Sequence, residues 1–265
     1  MRALAFLLAL AFSVPATGEE LRLRLAARWI GLPAGEIALA LSEGEGRYVA
    51  HADVRAVGVP KLLTGFRAAA DSEGALEADD GPQPGNRYAA DYRLRGRDKR
   101  TRFAYAADGE ASLPARTTGD SSDRDELPPA ERADAFDPLA ALIAFRTRLL
   151  QGRIAVDVPF QLAVYDGRRR FDVEGVIAPA RLDPAHGVRV HDVALTLHPR
   201  AGFNARDLAD EQVDSDARPA RLIVTADGRA LPLEFEVPAA GFTLAVRLTE
   251  ACGAWGCVRP KDTEG

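Results

Sequence analysis

Residues 87–95 and 100–106, in which apolar and polar residues alternate, carry a cluster of arginines. A guanidinium group can bind a phosphate or carboxylate through two parallel hydrogen bonds. In a β-hairpin one face would collect Arg93, Arg95, Arg100 and Arg102. Facing like charges destabilise a sheet, so such a face can be retained because it binds an anion. The competing interpretation is local neutralisation by Asp91 and Asp98. Both interpretations stay open at the level of the sequence.

The two cysteines, Cys252 and Cys257, are separated by four residues that include two glycines. This spacing is not the Cys-x-x-Cys of a redox-active dithiol, and a structural zinc ion needs four ligands. In an oxidising compartment a close pair of this kind forms a disulfide. We therefore expect a disulfide that fastens the C-terminal tail, with a small stabilising effect because the closed loop is short.

The other residue types that could perform catalysis lack the spacing of a known reaction. His191 and His198 lie seven positions apart in one predicted strand, so they point to opposite faces and do not share a metal ion. No serine lies in a Gly-x-Ser-x-Gly or Ser-x-x-Lys context, and no glycine loop precedes a helix to bind phosphate. Acidic runs such as Asp79-Asp80 are typical of solvated loops. The sequence predicts no catalytic residues, no cofactor and no metal site.

Residues 1–16 have the form of a secretory signal peptide. Arg2 precedes an apolar run over residues 3–12, which is shorter than the roughly 20 residues that span a bilayer as a helix. Small residues follow, so we expect cleavage after Ala16, with cleavage after Gly18 as the alternative. No cysteine near this point could carry a lipid. The expected product is a periplasmic protein that is not a lipoprotein and has no transmembrane segment.

Composition places the remainder among ordinary folded domains. Hydrophobic residues make up 47% and charged residues 28% of the chain, and its formal net charge is −5. A mildly acidic chain without a segregated basic domain is unsuited to nucleic acid. The length is enough for one β-rich domain over residues 17–265, with two lobes, 17–135 and 136–258, as the alternative.

Alternating apolar and polar residues predict about eleven or twelve strands. The fold class is therefore mainly β: a large curved antiparallel sheet, or an open barrel or sandwich, with one main α-helix. That helix is predicted over about residues 137–150, with Asp137 as its N-cap, Pro138 in its first turn and Gly152 at its end. Its apolar stripe must be buried against the sheet.

Several finer predictions concern boundaries and turns. Residues 60–71 are predicted to run into a fourth strand, residues 154–164 to form one long strand, and residues 107–135 to form a loop. A turn at Arg97-Asp98 would set Tyr92 opposite Phe103 and Leu94 opposite Thr101. Two further hairpin turns are predicted at Asp166-Gly167 and Asp227-Gly228.

Five segments together carry a family resemblance: residues 30–36, 136–139, 164–173, 231–235 and 244–248. On these residues the chain resembles the bacterial exported family catalogued as domain of unknown function 3108. The most specific segment is the turn Tyr165-Asp166-Gly167-Arg168. The resemblance implies a β-rich envelope protein and assigns no catalytic residue. The cysteine pair is not a feature of the resemblance.

Three functions remain open at this level. We favour a binding module for a hydrophobic or lipid-like molecule or an envelope component, because one helix covers a long apolar sheet face incompletely. The second is a structural or protein-interaction factor of the cell envelope. The third is a hydrolase of an envelope polymer, for which no residue pair is indicated. The sequence leaves the oligomeric state open.

Overall fold

The computed structural model describes residues 19–77, 81–82, 87–106, 111–112, 127–203, 217–239 and 242–260. The predicted signal peptide over residues 1–16, the acidic pair Asp79-Asp80 and most of the predicted loop over residues 107–135 lie outside the described residues. The family segments and the two cysteines all lie within them.

The described residues form fifteen strands and three helices. The strands are β1 (Glu19–Trp29), β2 (Leu32–Gly44), β3 (Arg47–Ala56), β4 (Arg67–Glu77), β5 (Gly81–Pro82), β6 (Arg87–Leu94), β7 (Arg97–Ala104), β8 (Phe160–Tyr165), β9 (Arg170–Ile177), β10 (Arg181–Asp183), β11 (Val188–Ala201), β12 (Arg218–Thr225), β13 (Pro232–Ala239), β14 (Phe242–Gly253) and β15 (Gly256–Val258). The helices are α1 (Gly58–Thr64), α2 (Pro129–Arg132) and α3 (Pro138–Leu150).

All long strands belong to one antiparallel sheet in the order β7-β6-β4-β3-β2-β1-β14-β13-β12-β11-β9-β8. The N-terminal strands form one half and the C-terminal strands the other, and the pair β1–β14 joins the halves at the centre. The sheet is not closed into a barrel. The prediction of a mainly β fold built on a large antiparallel sheet is confirmed.

The core lies on one face of this sheet because apolar residues alternate along the strands. Leu21, Leu23 and Leu25 are buried, whereas Arg22 and Arg24 between them are exposed. The same alternation continues in the neighbouring strands, which gives the sheet an apolar inner face and a charged outer face.

Helix α3 packs on the inner face and confirms the predicted helix. Asp137 is its N-cap and accepts hydrogen bonds from the amides of Leu139 and Ala140, at 3.0 and 2.9 Å. Pro138 occupies the first turn, where its missing N–H costs nothing. The helix ends at Leu150, and Gly152 follows with a φ of 68°.

The prediction of a strand over residues 60–71 is wrong in its first half, which forms α1. Pro60 lies in the first turn of this helix, where proline is tolerated. The Thr64 hydroxyl donates to the Pro60 carbonyl, and Gly65 ends the helix in the left-handed conformation. Strand β4 then begins at Arg67.

The predicted strand over residues 154–164 is also too long, because β8 begins only at Phe160. Asp157 has a φ of 59°, and the amide of Val158 donates to the Ala155 carbonyl, so the chain turns before the strand. Pro159 cannot donate a ladder hydrogen bond, which fits the boundary. Val156 makes a single parallel bridge to Ile177 instead.

The β6–β7 hairpin turns at Arg95-Gly96 and not at Arg97-Asp98. Both turn residues have positive φ, 51° and 75°, and such a two-residue turn matches the twist of a hairpin. The register moves by four residues, so that Tyr88 lies opposite Phe103 and Tyr92 opposite Lys99. Since four is even, the predicted faces of the hairpin are kept.

The two Asp-Gly hairpins are in the predicted places but their turns differ in detail. The Asp166 amide donates to the Arg169 carbonyl, so Gly167-Arg168 forms the tip of that turn. The loop at Asp227-Gly228 is wider, and the Thr225 amide donates across it to the Leu231 carbonyl. In both turns the aspartate side chain accepts backbone N–H groups, which stabilises them.

Candidate functional site

A cavity of about 330 Å³ lies between α3 and the inner face of the sheet. Its wall comes from α3 and from strands of both halves of the sheet, including Leu23, Leu41, Phe160 and Leu222. The lining residues are apolar apart from His51 and Arg146. Because the wall draws on segments far apart in the chain, alternation within a single strand could not predict it.

Leu142 is the most informative residue of this wall. Its side chain is 55% exposed although its helical neighbours Ala141 and Ile143 are buried. Leu142 also lines the cavity. A leucine in the middle of the helix therefore presents exposed apolar surface beside the cavity.

The two polar residues of the wall are already engaged by the protein. The Arg146 guanidinium pairs with the Glu43 carboxylate at 3.4 Å and donates through Nε to the Arg229 carbonyl at 3.3 Å. The His51 ring nitrogens lie 2.7 and 2.9 Å from the carboxylates of Asp71 and Asp53. These two carboxylates raise the pKa of His51. Among the described residues that line the cavity, both polar side chains therefore have protein partners.

A buried polar network fixes the N-terminus of α3 and hence one wall of the cavity. The Tyr48 hydroxyl lies 3.0 Å from Ser72 Oγ, which donates to Asp137 Oδ2 at 2.8 Å. All three side chains are buried. Burial raises the pKa of Asp137 to about 6, although its hydrogen bonds oppose this effect. Sequence reasoning found Asp137 but missed Tyr48 and Ser72, whose roles depend on strand pairing.

The turn Tyr165-Asp166-Gly167-Arg168 lies where the two edges of the sheet approach each other. Tyr165 is buried at the end of β8, and its ring lies 5.1 Å from the ring of Phe103 in β7. Gly167 is buried with a φ of 90°, and a Cβ at this position would overlap Thr101 Cγ2. This turn therefore packs the β8–β9 hairpin against β7.

The sequence family that matches this chain is described as "Protein of unknown function (DUF3108)", and the match covers residues 24–239. The chain belongs to this family. The matched range includes the lining residues of the cavity from Leu25 onward, α3 and the Tyr-Asp-Gly-Arg turn. No curated protein matches the sequence.

The fold of this DUF3108 protein is similar to solved structures of low sequence identity. A β-barrel-like protein of domain of unknown function DUF1849 from Brucella abortus has a TM-score of 0.54 at 10% identity, over 89% of this chain and 97% of that chain. A protein from Parabacteroides distasonis named "putative lipoprotein" has a TM-score of 0.33 at 8% identity, over 89% and 96% of the chains. The first likeness shows the fold alone.

The arginine face of the hairpin lies on the outer face of the sheet, away from the cavity. Arg93 forms two hydrogen bonds with Asp98, at 2.5 and 2.6 Å, while Arg100 and Arg102 bond to Asp91 at 2.5 and 3.1 Å. The Arg93 hydrogen bond holds the pKa of Asp98 below its usual range. Arg95 lies in the turn itself. Anion binding by this face remains a hypothesis, with three of its four arginines paired to local acids.

Cys252 and Cys257 face each other in the β14–β15 hairpin, with their Sγ atoms 2.07 Å apart. The ring of Trp255 lies over Gly253, where a Cβ would approach the ring to 2.6 Å. The two cysteines therefore link β15 to β14 and lie apart from the residues that line the cavity.

Replacing both cysteines by serine (C252S/C257S) is expected to lower the free energy of unfolding by about 2 kcal/mol, because a short loop gains little entropy when it opens. Denaturant titration with and without dithiothreitol checks this. The reductant should shift the wild-type midpoint and leave the variant midpoint unchanged. A reductant-insensitive wild type would show that the thiols are not bridged.

Two absences hold for the part of the chain that the structure describes. None of its helices combines the length and the apolar character needed to cross a bilayer. In the same residues, no group of three or more His, Cys, Asp or Glu side chains is arranged to hold a metal ion.

Proposed function

We propose that this protein is an exported, non-catalytic binding module that holds a hydrophobic, lipid-like molecule between α3 and the sheet. The observation that carries the proposal is the apolar cavity of about 330 Å³. Export is supported by the signal-like residues 1–16, with their short apolar run and small-residue exit.

The size and lining of the cavity support a ligand over a packing defect. Protein interiors are close-packed, and an empty cavity of a few hundred cubic ångströms costs several kcal/mol. Apolar cavities of about 150 Å³ already take up benzene, and drug-sized ligands occupy pockets of about 300–1,000 Å³. An apolar occupant would restore the missing contacts of Leu142 and its neighbours in the wall.

The chemistry of the lining also defines what the ligand is not. A sugar or a peptide would bury hydroxyl or amide groups against leucine and phenylalanine, at about 1–3 kcal/mol for each unsatisfied group. Among the described lining residues, Arg146 and His51 carry the ionisable side chains, and both are engaged by protein partners. An acyl chain or another hydrocarbon is the class that fits.

Native mass spectrometry of the protein expressed from its full sequence is the first test. The expected spectrum shows the chain beginning at Thr17, with the disulfide formed, and an added mass that organic extraction removes and identifies as a lipid. A bare chain in every preparation, together with no uptake of an acyl probe after extraction, would overturn the proposal. A mass that begins at Met1 would contradict cleavage of the signal peptide.

The variant Leu142→Asp tests the site itself, with parinaric acid, a fluorescent fatty acid, as the probe. A carboxylate in the apolar wall is expected to weaken binding of the extracted protein by about tenfold or more, since it must be desolvated or neutralised. The matched control is Leu150→Asp on the same helix, at a residue that is 38% exposed and does not line the cavity. Equal binding by both variants would place the ligand elsewhere.

A further inference from the structure

Exposed apolar side chains gather at one end of the sheet, among the turns between strands. This set, here called the apolar rim, consists of Ile30, Leu32, Val59, Leu62, Leu63 and Phe242. Its three leucines, Leu32, Leu62 and Leu63, are 62%, 86% and 71% exposed. Helix α1, which supplies half of the set, contains no buried residue at all. Folding therefore does not explain why these positions are apolar.

Direct contacts join the segments that carry the rim residues. The Val57 amide donates to the Ala34 carbonyl at 3.0 Å, which ties the N-cap residue of α1 to the start of β2. The Arg95 amide donates to the Thr64 carbonyl at 2.7 Å, which ties α1 to the β6–β7 turn. On the other side, the Phe242 ring lies 6.0 Å from the ring of Trp29.

The charge of three segments that form or adjoin the rim is opposite to that of the chain. Residues 28–34, 57–67 and 93–99 carry seven basic residues and one acid, whereas the formal net charge of the whole protein is −5. The one acid, Asp98, is held by Arg93. Basic and apolar side chains thus occur together at this end of the sheet, with an aromatic pair beside them.

We propose that the apolar rim docks on an anionic lipid surface. Leucine, isoleucine and phenylalanine enter the boundary between headgroups and acyl chains, tryptophan favours the same depth, and lysine and arginine bind the anionic headgroups around them. A protein partner would need no basic surround of this kind. The inference does not rest on the proposed ligand, because none of the six rim residues lines the cavity.

Vesicle flotation tests the proposal with the protein expressed from its full sequence. The wild type is expected to float with vesicles of equal parts phosphatidylglycerol and phosphatidylcholine, and to bind pure phosphatidylcholine less. The double variant L62D/L63D should lose about tenfold or more in binding to the mixed vesicles, because two apolar side chains no longer enter the boundary. High salt should weaken the wild-type binding, since headgroup attraction is screened.

The matched control is Leu182→Asp, which changes another exposed leucine, 66% exposed, at the opposite end of the sheet. All variants carry the same N-terminus, so an uncleaved signal segment would raise their binding equally. Circular dichroism should show that L62D/L63D folds like the wild type, and its parinaric acid binding should be unchanged.

Wild-type protein that fails to float with anionic vesicles would overturn the proposal, as would L62D/L63D that floats like the control. A wild type that stays off vesicles but self-associates in sedimentation, with the association lost in L62D/L63D, would assign the rim to a second copy of the chain instead. A wild type that floats with anionic vesicles but does not bind parinaric acid would contradict the proposed cavity ligand and leave the docking proposal standing.

Discussion

Replacing Gly167 by alanine is expected to lower the free energy of unfolding by about 3 kcal/mol or more. The backbone at Gly167 has a φ of 90°, which a residue with a Cβ adopts only at a cost. The added methyl group would also overlap Thr101 Cγ2 and approach Phe103 Cδ1 to 3.2 Å. Thr101 and Phe103 are both buried in β7, so neither can move aside freely.

Gly187→Ala is the matched control for this substitution. Gly187 also has a positive φ, of 67°, but a Cβ there would meet no atom within 4 Å. Gly187→Ala should therefore lower the free energy of unfolding by about 1 kcal/mol, the cost of placing a residue with a Cβ at a positive φ. Denaturant titration of both variants separates backbone strain from the contact between the two sheet edges.

The clash can also be relieved from its other side. Thr101→Ser removes the Cγ2 methyl group and keeps the hydroxyl, so the double variant T101S/G167A should recover part of the loss in a double-mutant cycle. If G167A costs no more than G187A, the β8–β9 turn does not pack on β7 as described.

Asp137→Asn is expected to remove a pH dependence of about 3 kcal/mol from the stability of the protein. The pKa of Asp137 is raised to about 6 in the folded protein, mainly by burial, against about 3.9 in an unfolded chain. Below about pH 4 the carboxyl group is protonated in both states and carries no penalty. As the pH rises from about 4 to about 6 the folded state increasingly bears a buried charge, so stability falls and then levels off.

The asparagine variant keeps the geometry and loses only the titration. Its side-chain oxygen can still accept from the amides of Leu139 and Ala140, and its amide can donate to Ser72 Oγ, which in turn can donate to Tyr48. Denaturant titrations between pH 3.5 and pH 7.5, roughly the window set by the two pKa values, should show the variant gaining stability over the wild type as pH rises. All other groups are common to both proteins and cancel. A constant difference would mean that Asp137 titrates normally.

Asp137→Ala provides the opposite control. It removes the N-cap and leaves Ser72 and two helix amides without their acceptor, so it should destabilise the protein at every pH. Comparison of the two variants separates the cost of burying the charge from the benefit of capping the helix.

Local patterns in the sequence were sufficient for much of the fold. The helix over residues 137–150 followed from Asp137, Pro138 and an apolar stripe, all of which act within a few residues. The faces of the β6–β7 hairpin followed from alternation. Its turn did not, because Arg95 adopts a positive φ that its residue type does not signal, and Gly96 alone marks the place.

The site depended on contacts that no local pattern encodes. The cavity is the space left between α3 and strands from both halves of the sheet, and its size depends on how far the sheet curls. Ser72 lies at an inward position of β4, and its hydrogen-bond partner, Asp137, is 65 residues away in the sequence. α1 was missed because a segment of only seven residues is too short to show a helical period, and its apolar residues are equally compatible with a strand.

The pairing of β1 with β14 has a consequence for the order in which the protein assembles. The first and last long strands lie side by side at the centre of the sheet, and Thr249 Oγ1 donates to the carbonyl of Arg24, 225 residues away in sequence. Each half can form its own meander from neighbouring strands, but the central ladder must wait until β14 has been synthesised. Until β14 has been made, β1 therefore lacks one of its two neighbours and the two halves of the sheet stay separate.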